Sequence, residues 1–223
     1  MSWLRKAATS SVGKKAVMAV TGLGLCGFLV VHLAGNLLLF RGAESYNEYA
    51  HALHHQAGLL LVAEIGLLVL FLGHLYLALR TNRENAAARP VGYAMHARKI
   101  EGGQGPLAAP ASSIMYITGW IVLAFLLLHL ADFRFELRNR GPSDEDPFTK
   151  AARLLTDPLT CSVYLAGSLV LGYHLLHGFQ SAFQSLGLNH PKYTPFIRKL
   201  SVVFAIVVAV GFASFPLWAL MRK

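Results

Sequence analysis

Four histidines sit deep within apolar stretches of this chain: His32 in GFLVVHLAGN, His74 in LFLGHLYLA, His129 in AFLLLHLAD and His174 in VLGYHLLHGF. His177 follows one turn after His174, and Gln180 and Gln184 continue at one-turn steps. Imidazole can ligate a metal, pass a proton or satisfy a buried hydrogen bond. For a single buried histidine the last is the ordinary reading. Four of them in matching surroundings point instead to a shared ligand or a relay.

The elements that must position them are legible in the composition. Of 223 residues, 55% are hydrophobic and only 14% charged, the balance of a polytopic membrane protein. A bilayer core of about 30 Å takes about 20 apolar residues of helix, and five such runs fall at roughly 16–40, 57–80, 112–134, 159–183 and 197–220. The first run is too long for a signal-peptide core, and no small-residue cleavage motif follows it, so it counts as a span. Within lipid every backbone group needs an internal partner, which helices supply. The fold class is therefore all-α: one polytopic domain over 1–223, with five transmembrane helices in a bundle.

The connectors carry their own signals. Residues 1–15 form an amphipathic lead-in with Trp3 and lysines suited to a headgroup boundary. RGAESYNEYAHALHHQ is polar and partly helical. The connector 81–111 holds Gly102, Gly103, Gly105, Pro106 and Pro110 and is irregular. The loop 135–158 contains GPSDEDP, and Thr156 or Asp157 before Pro158 opens the fourth span. GLNHPKYTP is a tight turn. Cys26 and Cys161 lie within spans without metal-ligand spacing and read as small buried hydrophobes.

The net charge of +9 does not mark a nucleic-acid binder. With the N-terminus cytoplasmic, the segments on that side hold twelve lysines and arginines against Glu84 and Glu101. The opposite segments hold eight basic and eight acidic residues, and Glu64 remains within a span. This is the asymmetry that orients membrane proteins.

Alternating span direction sorts the histidines by depth. His32 and His129 come late in outward spans, and His74 and His174 late in inward ones. Each layer thus holds one histidine pair on two helices. Two imidazoles facing across a bundle is what bis-histidine haem ligation requires. A zinc site would gather its ligands at one depth and often use cysteine or carboxylate. Gly24, Gly66 and Gly167 lie about two turns before ligands on a similar face, where they leave room for a flat macrocycle; close helix approach is the other use of such glycines. His177 is about 60° around the helix from His174 and one turn nearer the cytosol. It is the rival ligand, or a propionate donor.

The segments SSVGKKAVMAVTGLGLCGFLVVHLAGNLLLF and YHLLHGFQSAFQSLG…HPKYTP resemble the five-helix, di-haem cytochrome b anchor of bacterial succinate dehydrogenases and fumarate reductases. The likeness extends over nearly the whole chain. It implies two b haems: His32 and His129 hold the outer one, His74 and His174 the inner one. In that family the ligand stands four residues before a helix-four glycine, here Gly178, which selects His174 over His177. The resemblance also implies a flavoprotein subunit and an iron–sulfur subunit docked on the cytoplasmic face of a bacterial inner membrane. FAD and iron–sulfur clusters then belong to those partners, the quinone is menaquinone, and the whole complex can form a higher oligomer. Candidates for propionate or quinone contacts are His177, Gln180, Ser11, Lys14 and Glu48, with Glu64 a further carboxylate for protons. Two other functions compete: a haem b subunit of a hydrogenase or formate dehydrogenase, and a haem-free transporter using the histidines as a proton relay.

Overall fold

The computed structural model describes residues 10–88, 111–138 and 140–222. The lead-in before residue 10 and the glycine- and proline-bearing part of the 81–111 connector lie outside the described residues. Helix α1 spans Ser11–Asn36 and passes through a 3-10 turn, Leu37–Arg41, into α2, Ala43–His55. Then come α3 (Ala57–Ala87), α4 (Ala111–Phe133), α5 (Pro147–Thr156), α6 (Pro158–Ser185) and α7 (Thr194–Leu220). The described residues are helical with no strand, and five helices are long and apolar enough to cross a membrane: α1 with its 3-10 turn, α3, α4, α6 and α7.

The spans match the hydropathy pattern, with three departures. The second helix continues to Ala87, where an irregular connector was expected, because TNRENAA has good helix formers and no breaker. The 135–158 loop contains α5, which is too short to register as a span. It starts on a side-chain cap: the Asp146 carboxylate accepts from the backbone N–H of Phe148 and Thr149, with Pro147 at the first helical position. Ser11 and Lys14 belong to α1 itself, whose cap is Ser10 accepting from Gly13 N–H at 3.0 Å. Asp157 caps α6 through Thr160 N–H at 2.8 Å, as its place before Pro158 suggested.

Helices α6 and α7 form the most extensive pairing, and α4 and α1 lean on α6 while α3 leans on α1. A Cβ on Gly172 would stand 2.5 Å from Ala209 Cβ, so the absent side chain lets α6 and α7 close up. The Ser201 hydroxyl donates to the Leu176 carbonyl across the same interface at 2.7 Å. About a third or more of the most apolar stretches of α6 and α7 is buried (39% and 33%), against none of that in α3. Amphipathic α2 and α5 cover the end of the bundle near His32. Phe148, Ala151 and Leu155 of α5 join Leu33, Leu39, Tyr164 and Phe215 in one apolar cluster. Cys26 and Cys161 are buried free thiols.

Beneath α5 lies a buried ion pair. The Asp132 side chain is fully buried and takes two hydrogen bonds from Arg138, at 2.8 and 3.1 Å, and one from the Tyr164 hydroxyl at 3.0 Å. Losing one partner strands a buried charge, which costs about 3–5 kcal/mol. Arg138→Met is therefore expected to lower thermal stability in detergent by several kcal/mol. Lys150→Met, which loses the more exposed Glu136 partner, should change it by at most about 1 kcal/mol.

Asp146 gives a pH prediction. The Thr149 hydroxyl, the Thr149 N–H and the Asn47 amide hold its carboxyl well below the usual value, at about 2. A depressed carboxylate stabilises the fold above its unfolded value and loses that contribution as pH falls through the folded one. Asp146→Ala should cost about 1 kcal/mol at neutral pH. In acid melts the deficit should shrink between the ordinary carboxylate range and pH 2.

Candidate functional site

The four span histidines, each half-buried, fall into two pairs. In the first, α1 presents His32 and α4 presents His129, with ring centroids 5.8 Å apart and planes at 82°. Aromatic rings set both imidazoles. Phe28, one turn before His32, stacks on it at 5.1 Å, and Phe212 of α7 lies 5.7 Å away. His129 is surrounded by Phe125, Phe133 and Tyr164 at 6.2, 5.3 and 5.9 Å. Tyr164 in turn is fixed by its bond to Asp132. No hydrogen-bond partner of the His129 ring nitrogens is found among the described residues. Those nitrogens are not sealed in either, since the buried side-chain polar atom left unpaired is Thr81 Oγ1.

In the second pair, α3 presents His74 and α6 presents His174, and His74 and His177 both lie within electrostatic range of His174. Here hydroxyls set the rings. Thr21 Oγ1 lies 3.4 Å from His74 Nδ1, and Thr118 Oγ1 lies 3.1 Å from His174 Nδ1. The residue after each threonine is glycine. A Cβ on Gly22 would come 3.2 Å from His74 Cε1, and one on Gly119 3.6 Å from His174 Cε1.

The pairs can be tested for fit to a metal held between two imidazoles. First-row metals take imidazole nitrogen at about 2 Å, so two rings on opposite sides of one metal have centroids about 6 Å apart. The His32–His129 separation meets that. Each pair also joins helices without extensive direct packing: α1 with α4, and α3 with α6. The imidazoles therefore join helices that otherwise touch little. Among the described residues no three or more histidine, cysteine or carboxylate side chains gather as for a metal centre. The donor set is two imidazoles to a pair.

The glycines expected to make room divide differently. Phe125 occupies the space beside Gly167, and Leu70 Cδ1 would lie 3.1 Å from a Cβ on Gly24, so these two serve close packing. Gly66 faces open space. The clearances beside imidazoles belong to Gly22 and Gly119, which the spacing argument passed over.

Of the other candidates, Lys14 is buried and its ammonium is paired with Glu84, which also bonds Arg80 at 3.0 Å. That charge joins α1 to α3. Ser11 is exposed at the start of α1, Gln180 is half-buried, and Gln184 is exposed at the end of α6. His177 is half-buried one turn beyond His174. Glu48 is an exposed residue of α2. Glu64, two turns inside α3, pairs with Arg134 at 3.2 Å, both partly exposed.

Asp132, Tyr164, Thr21 and Thr118 were not singled out from the sequence. The only signal available was the TG dipeptide, present in AVTGLG and YITGW at the depth of the second pair.

No family model, curated protein or solved structure matches the chain.

Exposed ion pairs are worth about 0–1 kcal/mol. Glu64→Gln should therefore change the melting behaviour by no more than that and leave any chromophore spectrum untouched.

Proposed function

We propose that this chain is the membrane-embedded di-haem cytochrome b subunit of a succinate:quinone oxidoreductase, carrying electrons between an iron–sulfur subunit and a membrane quinone, menaquinone. One observation supports the reading: two histidine pairs at two depths, each joining helices with little direct packing, one with its rings 5.8 Å apart. His32 and His129 would hold one haem, and His74 and His174 the other. Haem bound there supplies one-electron redox chemistry at two levels of the bilayer.

The chain's own residues do the rest. Phe28, Phe125, Phe133 and Phe212 pack against the first pair and fix its ring planes. Thr21 and Thr118 meet the second pair at its Nδ1 atoms. The basic excess of the lead-in, the 81–111 connector and the last turn supports a cytoplasmic N-terminus in a bacterial inner membrane. It also marks the face for the flavoprotein and iron–sulfur subunits. Dicarboxylate chemistry, FAD and iron–sulfur clusters sit on those partners. Lipid and quinone are the contacts within the bilayer.

The test is spectroscopic. The purified chain, expressed with its native neighbours, is expected to show a Soret band and two b-type components in reduced-minus-oxidised spectra. His74→Ala should remove one component and His32→Ala the other. A colourless wild-type protein would sink the reading in favour of a histidine proton relay. Haem without a flavin-bearing partner carrying succinate activity would move it to another quinone-linked complex.

A further inference from the structure

We infer that Thr21 and Thr118 are positioning residues for the His74–His174 pair. Each hydroxyl accepts the Nδ1–H of one imidazole and so leaves its Nε2 unprotonated to face a ligand. What those nitrogens bind rests on the di-haem reading above; the tautomer does not.

Donor accounting gives the direction of both bonds. Thr118 Oγ1 lies 3.0 Å from the Met115 carbonyl and 3.1 Å from His174 Nδ1. A hydroxyl has one hydrogen and a carbonyl can only accept. With that hydrogen on Met115, both contacts are made at once only if the imidazole N–H donates to Thr118, and this is the assignment we adopt. Thr21 Oγ1 lies 3.0 and 2.9 Å from the Val17 and Met18 carbonyls, which likewise claim its hydrogen. His74 Nδ1 faces both Thr21 Oγ1 at 3.4 Å and the Met18 carbonyl at 3.3 Å. Only a protonated Nδ1 satisfies those two acceptors. Both threonines are buried, at 9% and 6% exposure, so water is a poor substitute for either partner.

The same dipeptide performs the task on α1 and on α4. Threonine supplies the acceptor, and the glycine after it leaves the space that the imidazole Cε1 edge fills. The other pair has no such device among the described residues. His32 Nδ1 has the Asn36 amide nitrogen at 3.5 Å, a donor where Thr21 and Thr118 present acceptors, and the same NH2 also donates to the His32 carbonyl at 2.8 Å. The two tiers are therefore built to differ. An acceptor on Nδ1–H raises ligand basicity, favours the oxidised metal and lowers its potential.

The experiment uses the full chain with its native partners and the variants Thr118→Val, Thr118→Ser, Thr21→Val and Thr21→Ser. In Thr118→Val the midpoint of one haem should rise, by about tenfold in the reduced-to-oxidised ratio or ~59 mV, while the other stays fixed. Thr118→Ser should restore it. Thr21→Val should move the same haem less, because the Met18 carbonyl remains. Unchanged midpoints in both valine variants, or equal shifts in both haems, would overturn the inference. Nitrogen-15 spectra of histidine in the unmodified chain give a second readout that needs no variant to fold. His74 and His174 should carry their proton on Nδ1, and a proton on Nε2 overturns the inference. If the wild type lacks haem bands, the di-haem reading fails and the nitrogen spectra alone decide the role of the threonines.

Discussion

The fold hangs on the approach of α6 to α7. Lipid tails are as apolar as leucine, so burial of hydrocarbon gives membrane helices little reason to associate. What holds these two together is contact: Gly172 against Ala209, buried Ala205 and Val208, and the Ser201 hydroxyl on the Leu176 carbonyl. The other spans take their places from this pair. Phe125 of α4 enters the notch at Gly167 of α6, and α1 runs along α6 and carries α3. Helices α3 and α4, each bearing one histidine of a pair, are thereby set apart from the partner helix by geometry fixed elsewhere. The imidazoles are the polar groups by which these helices meet.

The two ends of the bundle are closed by different means. Near His32, α2 and α5 form a lid joined by Asn47, which donates to Asp146 at 2.7 Å and accepts from Phe148 N–H at 2.9 Å. The Asp132–Arg138–Tyr164 group then ties the end of α4 to α6 beside His129. At the other end, Lys14 and Glu84 tie α1 to α3. Both devices use charge to fix helix ends where lipid supplies no driving force, and Asp132 places that charge one turn from His129.

Period, length and capping made the five long helices legible in the sequence, because each depends on local residues alone. Asp157 capping α6 is one instance. The short helix α5 was not legible. Its ten residues fall below the length of a span, and its stability comes from Phe148, Leu154 and Leu155 reaching into a core assembled from distant segments. The histidine pairs could be read because depth along a span is a one-dimensional quantity. The glycines could not be assigned in the same way. Spacing fixes the face a residue shares on its own helix and says nothing of what the neighbouring helix brings to it. So Gly24 and Gly167 turned out to receive Leu70 and Phe125, while Gly22 and Gly119 clear the imidazoles.

A polar group in a bilayer must be matched or it is costly, and the two tiers answer that demand differently. At His74 and His174 the protein supplies its own acceptors, so one nitrogen of each ring is satisfied within the chain. At His129 the surroundings are rings of phenylalanine and tyrosine, and neither nitrogen has a partner among the described residues. Aromatic walls can hold a ring plane but accept almost nothing from an N–H. His129 is therefore fixed by packing, where His74 and His174 are fixed by hydrogen bonds, so the two tiers set their ring planes by different forces.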